Sequence, residues 1–357
     1  MSIVDEIIKI IVGELEPVSV LEIKKAIEDN IAELCCKKDS TASIISINKD
    51  KDYYCKKCKC KFSKNGNTKS GIQKYICPEC KETMSERTDT ISLGSKLPFS
   101  IWKNVIDNIL NSFSIRRIAA ENRISIDTSF RMRQKVLTVI RKEIETVDLQ
   151  GKVWVDAQYF SLNFKGTKTK NMPRFSKKRK SKSSLNGISH HKICVIGALD
   201  ENDNLILKIG GLGKGTSDML EKCLGNKVER VKEITSDSAS AYISFCENHD
   251  IILHQIPSGF NSDGIENLSE INNVHSQLKT WLAKFRGVST RHFQEYLCWF
   301  QYLYMMLKKY ESKKLQIKNY KDILTYKTHI KSRDICKKEL PVDPMIAYAE
   351  YHHQSKD

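Results

Sequence analysis

No run in this chain approaches the roughly 20 consecutive apolar residues that cross a bilayer as a helix. Its opening, MSIVDEIIKI, carries acids where a secretory leader carries Lys or Arg. A soluble, cytoplasmic protein is therefore expected. The glycine-rich stretch from Gly210 to Gly215 lacks a closing Gly-Lys-Ser/Thr, so it does not fit the loop that cradles nucleotide phosphates. Acidic residues are in short supply: 43 Asp and Glu face 59 Lys and Arg, a formal charge of +16 over 357 residues. That excess attracts polyanions. Nucleic acid is the leading candidate and a membrane surface the rival. The length allows one sizeable core with small modules appended.

The chain has 12 cysteines. In a secreted protein these would serve disulfides, whereas a reducing cytosol keeps thiols free. Four of them form two Cys-x-x-Cys pairs, Cys55 with Cys58 and Cys77 with Cys80. Eighteen residues separate the pairs, room for a short hairpin, and this is the spacing of a four-thiolate zinc ribbon. Zn²⁺ takes four thiolates tetrahedrally, and such closed sites are structural. The metal would hold together a module, about 53–90, that has too few apolar residues to fold alone. Cys60, just past the first pair, is either a competing ligand or a spare thiol. Cys194 and Cys298 read as buried free thiols.

Periodicity divides the rest. Ile3, Ile7, Ile8 and Ile11, then Val20, Ile23 and Ile27, recur at helical spacing, so 1–50 reads as a helical appendage. Three helices follow over 96–146. The first opens at Pro98 and Ser100, the second covers Ser114 to Arg123, and Asp127 is the expected cap of the third. Ala119 and Ala120 are small where the second would cross the third, as in a DNA-binding helix-turn-helix. On the third helix Arg131, Gln134 and Lys135 are candidate base or phosphate contacts. The turn glycine is replaced by Arg123 and Ile124, and an ordinary three-helix packing unit is the alternative. From about 150 to 310 strands take over: three in succession, then helix, strand, helix, strand and two long helices. That order gives an α/β domain with a mixed sheet covered on both faces. Between its first two strands, Lys165 to Lys182 holds nine Lys or Arg and no acid. It is either a solvated loop or a phosphate-tracking one through Lys177, Lys178, Arg179 and Lys180. Residues 311–357 read as a tail.

Asp156 lies mid-strand among Val153, Trp154 and Val155, where a carboxylate is costly to bury unless paired or bound to metal. Asp237 ends another strand and is followed by the small residues Ser-Ala-Ser-Ala. Two such carboxylates suit Mg²⁺ or Mn²⁺, and two ions so held serve phosphodiester chemistry. On the helix from Ile271 to Leu282, an apolar stripe (Ile271, Val274, Leu278, Trp281, Leu282) opposes a polar row of Asn272, Ser276 and Lys279, with His275 at its flank. Each aspartate alone also fits a strand end, and the polar row also fits a solvent face.

Taken in order, the paired Cys-x-x-Cys motifs, the helix-turn-helix, Trp154-Val-Asp156, the basic insert, Thr235-Ser-Asp237 and Ile271-Asn-Asn-Val-His-Ser-Gln-Leu-Lys279 resemble bacterial insertion-sequence transposases. So does Lys284-Phe-Arg-Gly-Val-Ser-Thr-Arg-His-Phe-Gln-Glu-Tyr-Leu-Cys-Trp-Phe300. The group resembled is the ISXO-two-like one, in the insertion sequence fifteen-ninety-five family, and the likeness covers about 53–307. It implies an RNase H-like catalytic domain behind the zinc ribbon and helix-turn-helix, with a DDE-type, Mg²⁺- or Mn²⁺-dependent mechanism. Asp156 and Asp237 take the first two acidic positions. Asn272 stands where Glu is usual, His275 is its rival, and Lys279 follows two helical turns on. Structural Zn²⁺, double-stranded DNA as partner, a homodimer or larger synaptic assembly and a nucleoid-associated, bacterial setting follow from the same likeness. A catalytically inactive, transposase-derived DNA-binding regulator is the alternative, and a metal-dependent nuclease without strand transfer a third reading.

Overall fold

The computed structural model describes residues 52–68, 72–166, 191–257, 266–309 and 322–343. The expected appendage over 1–50, Lys177 to Lys180 with most of the basic insert, and the tail beyond 343 lie outside the described residues. The chain divides into two compact units, 1–107 and 108–357.

The first unit is organised by backbone turns at the cysteines. The N–H of Lys59 bonds the carbonyl of Cys55 at 3.0 Å, and the N–H of Lys81 bonds that of Cys77 at 3.1 Å. The N–H groups of Cys55 and Cys77 in turn reach the carbonyls of Cys60 (2.9 Å) and Glu82 (2.8 Å). Lys59 and Lys81 both take left-handed φ, 60° and 59°. The two pairs thus fold as twin knuckles, each closing on a lysine. Three short strands, β1 (Ser63–Asn67), β2 (Gln73–Ile76) and β3 (Thr83–Ser85), form an antiparallel sheet in that order. β1 is exposed throughout and β2 only partly covered, so the sheet has almost no core of its own. Beyond it the buried Arg87 guanidinium donates to the carbonyl of Leu97 at 2.7 Å and also to that of Ser95. The indole of Trp102 donates to Ser95 Oγ at 3.1 Å. Helix α1 (Phe99–Leu110) starts after Pro98, whose fixed φ suits a helix entry, and spans the division between the units.

The second unit opens with α2 (Ile115–Glu121) and α3 (Ile126–Ile144). Ser114 caps α2, its side chain accepting the N–H of Arg117. Ser125, rather than Asp127, caps α3 by accepting the N–H of Thr128 at 3.1 Å. A serine oxygen reaches a first-turn N–H directly; Asp127, one residue inside the helix, pairs with Arg131 instead. Five strands follow: β4 (Gln150–Ser161), β5 (Lys192–Asp200), β6 (Leu205–Leu212), β7 (Arg230–Asp237) and β8 (Ile252–Ile256), in the spatial order β6-β5-β4-β7-β8. β4, β5 and β6 make an antiparallel meander, while β7 and β8 run parallel to β4. The expected glycine-rich loop is shorter than read: β6 continues through Leu212, leaving the turn to Gly213–Gly215.

Side-chain alternation assigns the two faces. Val153 and Val155 of β4 join Cys194, Ile196, Ala198 and Ile206 in a core covered by α4 (Ser217–Leu224) and α5 (Ala241–Asn248), through Leu220, Cys223, Tyr242 and Phe245. The other face is covered by α6 (Ser269–Ala283) and α7 (Phe293–Lys309). β5, with helices on both sides, is buried from Ile193 to Asp200, which explains its unbroken apolar run. α6 and α7 lock through aromatics: Trp281 meets Trp299 at 4.9 Å and Phe285 at 4.8 Å, and Phe285 meets Tyr296 at 5.1 Å. Each such pair adds about 0.5–1.5 kcal/mol beyond its buried area. A short helix, α8 (Ser332–Cys336), lies against α3.

Candidate metal centres and nucleic-acid interface

The knuckles bring Cys55, Cys58, Cys77 and Cys80 together, their sulfurs all within 4.8 Å of one another. Cys55 and Cys80 sulfurs stand 3.6 Å apart. Four thiol sulfurs at this range are a donor set compatible with tetrahedral zinc. Cys60 is drawn in as well, its sulfur 3.1 Å from that of Cys77.

Asp156 sits on β4, opposite Gly197 of β5. Its neighbours Val153 and Val155 turn toward the α4–α5 core, so Asp156 turns toward α6. Its Oδ1 accepts the N–H of Ala157 at 2.8 Å, and its Oδ2 lies 3.2 Å from Nδ1 of His275 on α6. Asp237 is the last residue of β7, two beyond Thr235, which pairs with Trp154. Asp156 thus stands mid-strand in β4 and Asp237 at the C-terminal end of the adjacent parallel strand β7, each two residues past the Trp154–Thr235 pair. Asp237 Oδ1 accepts the N–H of Ala239 at 3.1 Å. Burial pushes the Asp237 carboxyl above its ordinary pKa, and the charge of Asp156 pushes the same way. The Ala239 N–H and Lys214 oppose that shift. Two carboxylates are the hard oxygen set that Mg²⁺ accepts while keeping waters and phosphate oxygens in its remaining positions. Among the described residues, the groups that gather three ligand atoms within 4.8 Å are built on cysteines.

The late helix distributes its polar residues differently from the sequence expectation. His275 is 3 % exposed and touches Asp156. Asn272, one turn earlier, is half-buried. Lys279, one turn later, is exposed and lines a cavity of about 320 Å³ with Phe160, Ser161, Asn163 and Thr290. One group escaped the sequence reading. Lys214 sits in the Gly213–Gly215 turn, where the N–H of Gly215 bonds the Tyr159 hydroxyl at 3.3 Å. Glycines flanking a lone lysine were its only signal. Glu266 takes a 2.6 Å ion pair from Lys152 and a 3.3 Å hydrogen bond from Thr235. It therefore lies near Lys152 and Thr235, two positions before Trp154 and Asp237 on their strands.

α2 and α3 meet across a turn in which Arg123 takes φ 51°, the left-handed conformation a glycine would adopt freely. Gln134 and Lys135 do not face solvent: they are 4 % and 9 % exposed, inside a stretch of α3 buried from Met132 to Leu137. The reason is packing of α3 on α7. Arg133, fully buried, donates to the carbonyl of Phe113 at 2.5 Å and to the Tyr296 hydroxyl at 3.0 Å, with its guanidinium 5.2 Å from the Trp299 ring. Both side chains are thereby largely covered. The open surface lies at the other end of the pair: Arg116, Arg117, Arg123, Ile126 (56 % exposed), Asp127 and Arg131. Arg117 pairs with Glu121 at 2.8 Å and Arg131 with Asp127.

Among the described residues no helix is long and apolar enough to cross a membrane. Residues 148–304 match the family model of the ISXO2-like transposase domain. A protein from the transposable element ISH50 of Halobacterium salinarum, itself uncharacterised, is 23 % identical over 262 residues, covering 70 % of this chain and 84 % of that protein. A simian T-cell lymphotropic virus intasome in complex with a PP2A regulatory subunit shows 12 % identity over 43 % of this chain and 48 % of the other, with a TM-score of 0.28. A pre-cleavage Mos1 transpososome shows 10 % identity over 59 % and 75 %, with a TM-score of 0.20. At these TM-scores the two structural likenesses are loose, and nothing rests on them.

Proposed function

We propose, from the match of residues 148–304 to the ISXO2-like transposase domain model, that the protein is a transposase that binds the ends of a mobile element, cuts them and joins them to target DNA. The observation that carries the reading is the placement of Asp156 and Asp237 on adjacent parallel strands, each two residues past the Trp154–Thr235 pair, inside the matched segment. The strand order β6-β5-β4-β7-β8, with a three-strand meander followed by two parallel additions, supports an RNase H-like description of the sheet.

In this reading Asp156 and Asp237 hold Mg²⁺ or Mn²⁺, with Asn272 offering a neutral carbonyl oxygen as a third, weaker ligand. The ions supply activation of the attacking oxygen and stabilisation of the leaving one. The chain's own groups do the positioning. Lys279, beyond His275 on α6, and Lys214, whose charge reaches Asp237, neutralise phosphates beside the reacting one. Arg116, Arg123 and Arg131 line the surface at the start of α3, where a helix-turn-helix reads a major groove. The Cys55, Cys58, Cys77 and Cys80 cluster holds Zn²⁺ and fixes the ribbon as a second DNA-binding module. Synapsis of two ends calls for at least two copies of the chain, acting among the cell's DNA in the cytoplasm.

The test is incubation of purified protein with DNA carrying the element's ends, in Mg²⁺ or Mn²⁺, beside Asp156→Ala and Asp237→Ala. Joined products that vanish in both variants, while DNA binding persists, are expected. Cleavage without joining would reduce the protein to a nuclease, and binding with neither reaction to a regulator.

A further inference from the structure

We infer that His275 is a positioning residue for Asp156: it orients the carboxylate through Nδ1 and is not itself a metal ligand, and Gly197 exists to seat its ring. The inference rests on the reading of Asp156 as a metal ligand and adds the device that presents it. Three observations carry it. The Nδ1 atom of His275 lies 3.2 Å from Asp156 Oδ2. A carboxylate accepts, so Nδ1 carries the proton of this contact. The other ring nitrogen, Nε2, is buried and has no hydrogen-bond partner among the described residues. It faces backbone instead: a Cβ added to Gly197 would lie 2.5 Å from Nε2. Gly197 is the residue of β5 directly opposite Asp156. Ring, glycine and aspartate therefore stack across two neighbouring strands.

The consequence is geometric. Asp156 Oδ1 is held by the Ala157 N–H at 2.8 Å and Oδ2 by His275. With both oxygens tethered, the carboxylate has one orientation, and its remaining lone pairs are those an ion can use. A ligand role for His275 would need an accessible ring nitrogen. One is engaged by Asp156 and the other is pressed on the Gly197 backbone, so neither is available. The usual cost of removing a group that orients a ligand is a 10–100-fold loss of metal affinity.

Side-chain geometry supplies the discriminating variants. The amide nitrogen of Asn falls near the place of Nδ1, whereas that of Gln falls near Nε2. Mn²⁺ binding to the full-length protein is measured from the loss of the free-ion electron paramagnetic resonance signal, with thermal unfolding recorded for each variant. His275→Ala and His275→Gln are expected to weaken Mn²⁺ binding about 10–100-fold. His275→Asn restores most of that loss. Gly197→Ala, which displaces the ring, behaves like His275→Ala. Rescue by Gln but not Asn would assign Nε2 as a ligand and overturn the inference. So would wild-type Mn²⁺ affinity in His275→Ala, or equal loss in Ala and Asn. If Gly197→Ala fails to fold, the Asn and Gln pair still decides. Asp156→Ala separates the two levels. If it binds Mn²⁺ as wild type does, the metal reading falls and this inference with it. If the His275 series behaves as expected while no DNA is joined, only the transposition reading falls.

Discussion

At the scale of single residues, buried polar groups are tied to particular consequences. His292 is pushed down from 6.5 to about 4 by burial, with Lys338 and Arg291 adding to the effect. The unfolded chain then binds the proton before the folded one does. The stability this group contributes is complete above pH 6.5 and is lost as pH falls toward about 4. Denaturant midpoints measured from pH 7 to pH 4 should fall, and His292→Gln should flatten the slope. Arg123 makes a different point. Its left-handed φ of 51° costs an ordinary residue roughly 1 kcal/mol that glycine avoids. Arg123→Gly should leave thermal stability within about 1 kcal/mol of wild type, the relief being offset by the entropy glycine loses on folding. Loss of DNA affinity in that variant would then report the side chain rather than the turn.

At the scale of elements, the third helix of the helical block shows how tertiary packing overrides a surface reading. Gln134 and Lys135 read as candidate DNA contacts, yet α3 packs against α7 and both are buried. Arg133 anchors that contact through Phe113 and Tyr296. Arg133→Ala should cost about 2–4 kcal/mol, because a buried carbonyl and a buried hydroxyl lose their donor; urea unfolding of the two proteins measures it. The ribbon behaves oppositely. Its strands bury little, so its order depends on the thiol cluster. Cys77→Ser should lower zinc content from about one ion per chain, read by metal analysis. Chelation should abolish the dispersed amide signals of 52–90 while those of the five-stranded sheet persist.

For the whole molecule, the charge of +16 makes salt the first variable of any binding measurement. Affinity for duplex DNA should fall linearly on logarithmic axes as salt rises, because each neutralised phosphate releases counterions. Replacing Arg116 by Ala should weaken binding across sequences and shallow that slope by about one unit. Arg131→Ala, at the start of α3, should instead relax discrimination between end DNA and random DNA. A slope unchanged by Arg116→Ala would remove the α2 surface from the interface.

What the sequence determined by itself is everything governed by short range. The Cys-x-x-Cys spacing dictates the knuckles, because both ligands of a pair lie on one turn. Periodicity and β-branched runs gave the order of strands and helices from 99 to 309, with ends displaced by only a few residues. The positions of Asp156 within its strand and Asp237 at the end of another were legible for the same reason. Only the tertiary structure decided which faces meet. Sheet register sets Gly197 opposite Asp156 and opens space for the His275 ring. The charge of Lys214, in the Gly213–Gly215 turn, opposes the rise that burial gives the Asp237 carboxyl. Packing on α7 closes the middle of α3 and leaves its beginning open. These pairings join residues far apart in the chain, and their energy comes from burial and exclusion of water, which no local pattern encodes.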